Sequence, residues 1–426
     1  MQEEFLHYVW KHQKLNLNTL LTTSGERLEL VSPGQQNFDA GPDFFDARIR
    51  INGQLWAGNV EIHLHSSDWY SHNHHEDSAY QNVILHVVWE HDMDVFMQNE
   101  QPIPTLELHG LIAPNAILAY EQLKSTKTPV LPCVSVWADM SSLTLQSWFE
   151  RLYVERLEVK YEKLLSLLNA SKNDWEAVLF HLLLKNFGLK TNGPSFEMLA
   201  RTIPFKVIQK LRFNPQEMEA LLLGQSGLLP LSSSEASVQE MIGMYNYLKR
   251  KFDLNQPISL TPKYFRLRPS NFPTIRLSQF AQLWCSQEGL FSQLIEMNNK
   301  QDFYITCAVG VSPYWFNHFT FEKISKSSKK KLTPNFVDLL MINTIIPIKF
   351  AFQKYVGNDP SEELLGLIGS IQKEDNSLIR VFDTLELYEP SALHSQAMIH
   401  LKTVYCNTRS CLKCAIGNTM LSNRFN

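Results

Sequence analysis

The stretch from Gln54 to His65 leaves the backbone little freedom. Val60-Glu61-Ile62-His63-Leu64-His65 alternates apolar and ionisable residues without a break, and in an extended strand successive side chains point to opposite faces. The alternation predicts a strand with Glu61, His63 and His65 on one face and Val60, Ile62 and Leu64 on the other. Just before it, Asn52-Gly53 is the pair favoured by a type I′ hairpin turn, so residues 47–51 are predicted to be the antiparallel partner. Counting the register back from the turn brings Asp43 level with Ile62, close to Glu61 along the chain. In strict register, however, Phe44 and Asp46 share the face of Glu61. Asp43 reaches that face only if the backbone leaves regular strand at Pro42-Asp43 or if a bulge intervenes.

Around this hairpin the pattern is mixed. Residues 3–14 read as an amphipathic helix with Phe5, Val9 and Trp10 on one stripe, residues 28–31 and 83–90 as further strands, and residues 77–82 as a short helix. This order predicts an α+β fold over residues 1–112, a mixed sheet with flanking helices rather than a βαβ repeat. Residues 113–426 have mostly helical periodicity and are assigned to a second, mostly helical domain that ends in a cysteine segment. Helices are predicted over 143–168, 175–187, 215–223, 237–251, 277–288, 336–352 and 361–374, with Pro347 expected to kink or end the sixth. Asp174 and Asn214 are predicted N-caps, and Gly188 and Gly224 predicted stops.

Bulk properties narrow the function. The 426 residues carry a formal net charge of −4 with 44% hydrophobic residues, which excludes a polycation built for nucleic acid and leaves any such binding to a local patch. The acidic start Met1-Gln2-Glu3-Glu4 is not a basic secretory leader. The most apolar run, residues 341–352, is shorter than a membrane span and contains Lys349. Six cysteines in a chain of this length do not form a disulfide framework, so a reducing cytoplasm is the expected location.

Chemistry concentrates between Asp39 and Asp94. Asp43, Glu61 and His63 are the candidate catalytic and metal-binding set, with His65 as a further ligand on the same face and His72, His74 and His86 as additional candidates. Two neighbouring carboxylates repel unless a cation sits between them. Oxygen ligands on a rigid sheet suit Mg²⁺ or Mn²⁺, which lower the pKa of bound water and stabilise charge on a phosphoryl oxygen. The structural alternative is a polar network of satisfied histidines and carboxylates.

A helix followed by strands, with Pro42-Asp43 entering one strand and Glu61-Ile62-His63 on the next, resembles the PD-(D/E)xK nuclease superfamily over roughly residues 1–95. The resemblance implies a restriction-endonuclease-like sheet, a role for Asp43 and Glu61 as metal ligands, and His63 standing where that superfamily has a lysine. Histidine is mostly neutral at pH 7, so it would be a base or ligand rather than a fixed positive charge. A longer string also resembles the domain of unknown function 2851 family of uncharacterised bacterial proteins: Gly41-Pro42-Asp43-Phe44, Gly58-Asn59-Val60-Glu61-Ile62-His63, Ser67-Asp68-Trp69, His72-x-His74, Val83 to Val88, Arg266 to Arg276 and the terminal cysteines.

Two other features carry chemistry. Cys406-x4-Cys411-x2-Cys414 has metal-ligand spacing for Zn²⁺ or an iron–sulfur cluster, with the fourth ligand left open among Cys133, Cys285, Cys307, His394 and His400. Reduced thiols packing a terminal turn is the simpler reading. Arg266, Arg268 and Arg276 lie in a proline-stiffened segment, where they would either contact phosphate or pin a loop. The basic run over 323–331 reads as a solvated loop, Gly224 to Leu228 as a turn, and no Gly-x-Ser-x-Gly elbow is present. The expectation is a divalent-metal phosphodiesterase or nuclease. The alternatives are a non-catalytic binding protein and a zinc or manganese hydrolase of another substrate.

Overall fold

The computed structural model describes residues 1–426 except 125–132, 134–135, 138–139, 255–259, 383–389 and 426. Strands β1 (Leu28–Ser32), β2 (Gln35–Gln36), β3 (Phe44–Ile51), β4 (Gln54–His65), β5 (Val83–Glu90) and β6 (Thr105–Glu107) form one sheet in the order β1-β3-β4-β5-β6, with β2 paired to β3. β1, β3 and β4 run antiparallel, whereas β4, β5 and β6 run parallel, so the fold is α+β with a mixed sheet. The predicted bounds of β4 and β5 coincide with the observed ones. β2 and β6 are too short to leave a periodic signal. The predicted helix at 77–82 is a single 3₁₀ turn, Ser78–Tyr80.

One face of the sheet is apolar. Val60, Ile62, Leu85, Val87 and Ile49 pack there with Phe5, Leu6, Val9 and Trp10 of helix α1 (Glu3–Lys11). Burying a side chain of this size stabilises the fold by about 1.5–3 kcal/mol. Leu412, Met420 and Leu421, close to the C-terminus, join the same core beside Ala116, Ala119, Tyr120 and Leu123 of α2 (Pro114–Lys124). The compact units follow that packing: one is Met1–Trp148 with Leu401–Asn426, the other Phe149–His400. The boundary read from periodicity at 112/113 thus differs from the compact division, because α2 and the terminal residues are helical by local pattern yet bury their apolar faces against the sheet's core.

The second unit is helical among the described residues apart from the small hairpin His318–Thr320 and Lys323–Ile324. Asp174 accepts from the amide of Ala177 at 3.0 Å and Asn214 from that of Glu217 at 3.1 Å, as their N-cap positions predict. Gly224 does not stop its helix, Pro215–Gln225; a Cβ there would lie 2.2 Å from the Tyr245 ring, so its role is close approach of the next helix.

The helical run Pro334–Tyr355 corrects one expectation. At 22 residues it is long and apolar enough to cross a membrane, although 72% of its most apolar window is buried inside the protein. It also passes through Pro347 without ending. A π turn over Met341–Ile345 precedes the proline, and Asn186 Nδ2 donates to the Asn343 carbonyl at 3.3 Å. Asn343 is four residues before Pro347, the position where proline withholds a helical donor.

Candidate metal centre

The site begins with a bulge. From Ile51↔Gln54 to Ala47↔Gly58 the hairpin keeps its turn-set register, but beyond it Phe44 pairs with Val60, a shift of one residue. The extra residue sits at Phe45-Asp46, both exposed, with Asp46 at φ +55°. Because side chains alternate, absorbing one residue keeps Phe44 in the core with Ala47 and Ile49 and turns Asp43 to the face of Glu61. The Asp43 amide then donates to Glu61 Oε2 at 3.1 Å. Its carboxylate Oδ2 accepts from the Ile62 amide at 3.0 Å and lies 3.1 Å from His7 Nε2. Asp43 therefore neighbours the cluster through Glu61, with its own carboxylate engaged on both sides.

The histidines arrive from three local elements. Parallel pairing of β4 with β5 sets Glu61 opposite His86. After β4 the chain turns through one short helical turn, Asp68–Ser71, whose C-cap is His72; Asn73 at φ +59° then reverses it and delivers His74. The His74 ring stacks on Tyr80 with centroids 3.8 Å apart and packs against Trp69. Glu61 Oε1 lies 3.2 Å from His74 Nε2 and 3.5 Å from His63 Nε2, and His63 Nε2 lies 3.1 Å from His72 Nδ1. Ligand atoms of His63, His72 and His74 all fall within 4.8 Å of one another. The edge of a tetrahedron around an ion with bonds of about 2.0 Å is about 3.3 Å, close to these separations.

Solvation grades across the cluster. The side chains of Glu61, His63 and His74 are 6%, 2% and 10% exposed, whereas His72 faces solvent. His63 Nδ1 is 2.8 Å from His86 Nε2; a proton shared there leaves the His63 Nε2 lone pair directed at Glu61, His72 and His74. Burial, then the nearby imidazoles of His86, His74 and His72, push His63 down to about 2. Burial also pushes His86 down to about 3. Glu61 moves the other way: burial raises its pKa and the Asp43 charge adds to this, against the opposing effect of His74. Burial disfavours a charged His7, but the Asp43 carboxylate outweighs it, with Glu3 and Glu61 helping, and leaves that histidine's pKa raised. The inner set thus places a buried carboxyl group beside the neutral imidazoles of His63 and His86, an arrangement that offers lone pairs and gains from a cation.

Other candidates are dispersed. His65, on the exposed end of β4, lies 3.8 Å from Asp68 and 4.0 Å from Glu90. Arg276 is buried, donating to Gln279 Oε1 at 2.8 Å and Asn271 Oδ1 at 2.6 Å and covering the Phe336 ring, so it pins its loop. Arg266 and Arg268 are exposed. Cys406, Cys411 and Cys414 line one cavity with Cys133, one of the open candidates for a fourth partner. Burial raises Cys406 to about 12, Cys411 to about 11 and Cys414 to about 12, with Cys133 adding to each. Sequence reasoning missed His7, Tyr80 and Trp69. His7 stands one helical turn after Glu3, off the apolar stripe of α1, and that polar pair was the available signal.

Residues 3–377 match the family described as Protein of unknown function (DUF2851). No curated protein and no solved structure matches the chain.

Proposed function

The chain belongs to the DUF2851 family of proteins of unknown function, and from the geometry of its histidine cluster we propose that it is a metal-dependent hydrolase. Glu61, His63 and His74 hold a zinc or manganese ion from the buried side, and His72 closes on it from the solvent side. The observation that carries this reading is the gathering of donor atoms of His63, His72 and His74 within 4.8 Å of one another, with Glu61 Oε1 3.2 Å from His74 Nε2 and 3.5 Å from His63 Nε2. Imidazole donors favour zinc over Mg²⁺, which prefers oxygen and retained waters.

Such an ion supplies an activated water and polarises the scissile group. The chain's own residues do the rest. His86 orients the His63 ring, Trp69 and Tyr80 hold His74, and the Asp43 amide fixes the second oxygen of Glu61. Asp43, paired to His7, is a positioning residue. His72, exposed and carried on a single turn, is the ligand that can give way to substrate.

The substrate reading is a phosphodiester, supported by the pairing of Asp43 and Glu61 across the β3–β4 hairpin. Metal analysis and activity test the two statements separately. Purified full-length protein should hold about one zinc or manganese per chain at this site, and Glu61→Gln or His74→Ala should lower that occupancy at least tenfold while retaining the circular dichroism spectrum. With the metal present, cleavage of bis(p-nitrophenyl) phosphate, DNA or RNA should fall by orders of magnitude in Glu61→Gln. His63→Lys should lose metal and activity together. Metal occupancy that these variants do not change would overturn the site, and a loaded protein that cleaves no phosphodiester would overturn the substrate class. A His63→Lys variant that gains Mg²⁺-dependent cleavage would favour the oxygen-ligated nuclease arrangement instead.

A further inference from the structure

The cysteines converge from two parts of the chain that are far apart in sequence. Cys406 ends the π turn Leu401–Cys406, Cys411 opens the 3₁₀ turn Cys411–Lys413, and Cys414 caps that turn immediately before the helix Ala415–Phe425. Cys133 comes from the segment after α2. All four sulfur-bearing residues line one cavity of about 20 Å³, and the other lining residues, including Leu123, Trp137, Leu401 and Ile416, are apolar or aromatic. All four are free thiols, unbridged although they face the same space.

The surroundings of the sulfurs are apolar. Cys411 Sγ donates to the Leu123 carbonyl at 3.9 Å, and Cys414 leads directly into the terminal helix at Ala415. Gly417 is required for the approach of that helix to Cys411: a Cβ there would stand 2.2 Å from the Cys411 carbonyl oxygen. An apolar shell around sulfur is one of the levers that tune thiolate-bound metal centres.

The spacing of the sulfurs selects the kind of centre. A single zinc ion with bonds of about 2.3 Å needs sulfur–sulfur separations of about 3.8 Å. Among the described residues the one set of three donor atoms lying within 4.8 Å of one another is His63, His72 and His74, so no three of these sulfurs approach that closely. A polynuclear cluster holds its thiolates farther apart, because each binds a different iron.

We propose that Cys133, Cys406, Cys411 and Cys414 ligate an iron–sulfur cluster in this cavity, tying the C-terminal segment to the chain that follows α2. Each thiol gives up its proton to solvent as its sulfur binds iron, and the cluster's own iron and sulfide come from the cell's supply. The centre is independent of the histidine site. Its effect on folding is that of a clip that closes a very long loop.

The test uses full-length protein purified without oxygen. Iron, acid-labile sulfide and zinc are measured, together with visible absorption and electron paramagnetic resonance before and after dithionite reduction. Roughly four irons and four sulfides per chain are expected, with an absorption band that bleaches on reduction. Cys133→Ser and Cys411→Ser should lose most of the iron, Cys285→Ser should keep it, and His74→Ala should keep iron and sulfide while losing the other metal. Less than about 0.2 equivalents of iron in wild-type protein after reconstitution with ferrous iron and sulfide would overturn the proposal. A single zinc ion released by Cys411→Ser would overturn it as well. The wild-type measurements stand whether or not the serine variants fold.

Discussion

At the scale of single residues, the histidines carry a cost that only the folded environment imposes. His63 and His86 are held down to about 2 and about 3, chiefly by burial, whereas in the unfolded chain both return to about 6.5. Below that value the unfolded chain binds protons that the native chain refuses, so stability falls as pH falls. In metal-stripped protein the urea midpoint should be steady above about pH 7 and decline progressively from about pH 6.5 towards 3. A midpoint unchanged down to pH 4 would mean that both rings accept protons freely in the native state. The same burial explains the choice of ligand: a neutral imidazole costs less to bury than an ammonium, and it offers a lone pair.

At the scale of elements, the β3 bulge decides what the site contains. Asp46 at φ +55° is an L-residue in a region that suits glycine, and aspartate tolerates it better than branched residues do. Asp46→Gly should therefore leave stability within about 1 kcal/mol of the parent, whereas Asp46→Val should cost about 1–3 kcal/mol in a denaturation experiment. Deleting Asp46 is the sharper change. It removes the extra residue and leaves Ala47 opposite Gly58 and Phe44 opposite Val60 in unbroken register, so Asp43 stays on the face of Glu61 and metal affinity should stay within about threefold of the parent. A tenfold loss of affinity in a folded deletion variant would show that the site needs the bulged backbone itself and not only the register it sets.

At the scale of the whole molecule, the chain's end is a structural part of its beginning. Leu421 is fully buried in the core shared by α1, the sheet and α2. Leu421→Ala should cost about 2–5 kcal/mol, the range for opening a cavity in a packed core. Hydrogen exchange would locate the loss within residues 1–148, and unchanged protection there would contradict the assignment of the terminus to the first unit.

The amino-acid sequence by itself determined the α+β class, the bounds of β4 and β5, the capped helices at Asp174 and Asn214, and the shared face of Glu61 and His63. These follow from strand alternation and cap chemistry, which act over a few residues. It also narrowed the candidate metal donors to a short segment, but it could not separate His65, which ends at the exposed edge with Asp68 and Glu90, from His74, which folds back against Tyr80. That separation depends on the turn at Asn73 and on packing against Trp69. Three further facts are tertiary for the same reason, since each depends on contacts between segments remote in sequence. The bulge sets Asp43 beside Glu61, Asn186 bonds the carbonyl that Pro347 leaves free, and Cys133, out of several equivalent candidates, faces the terminal cysteines. Local pattern records which face a residue occupies, and only the packed chain decides what meets it there.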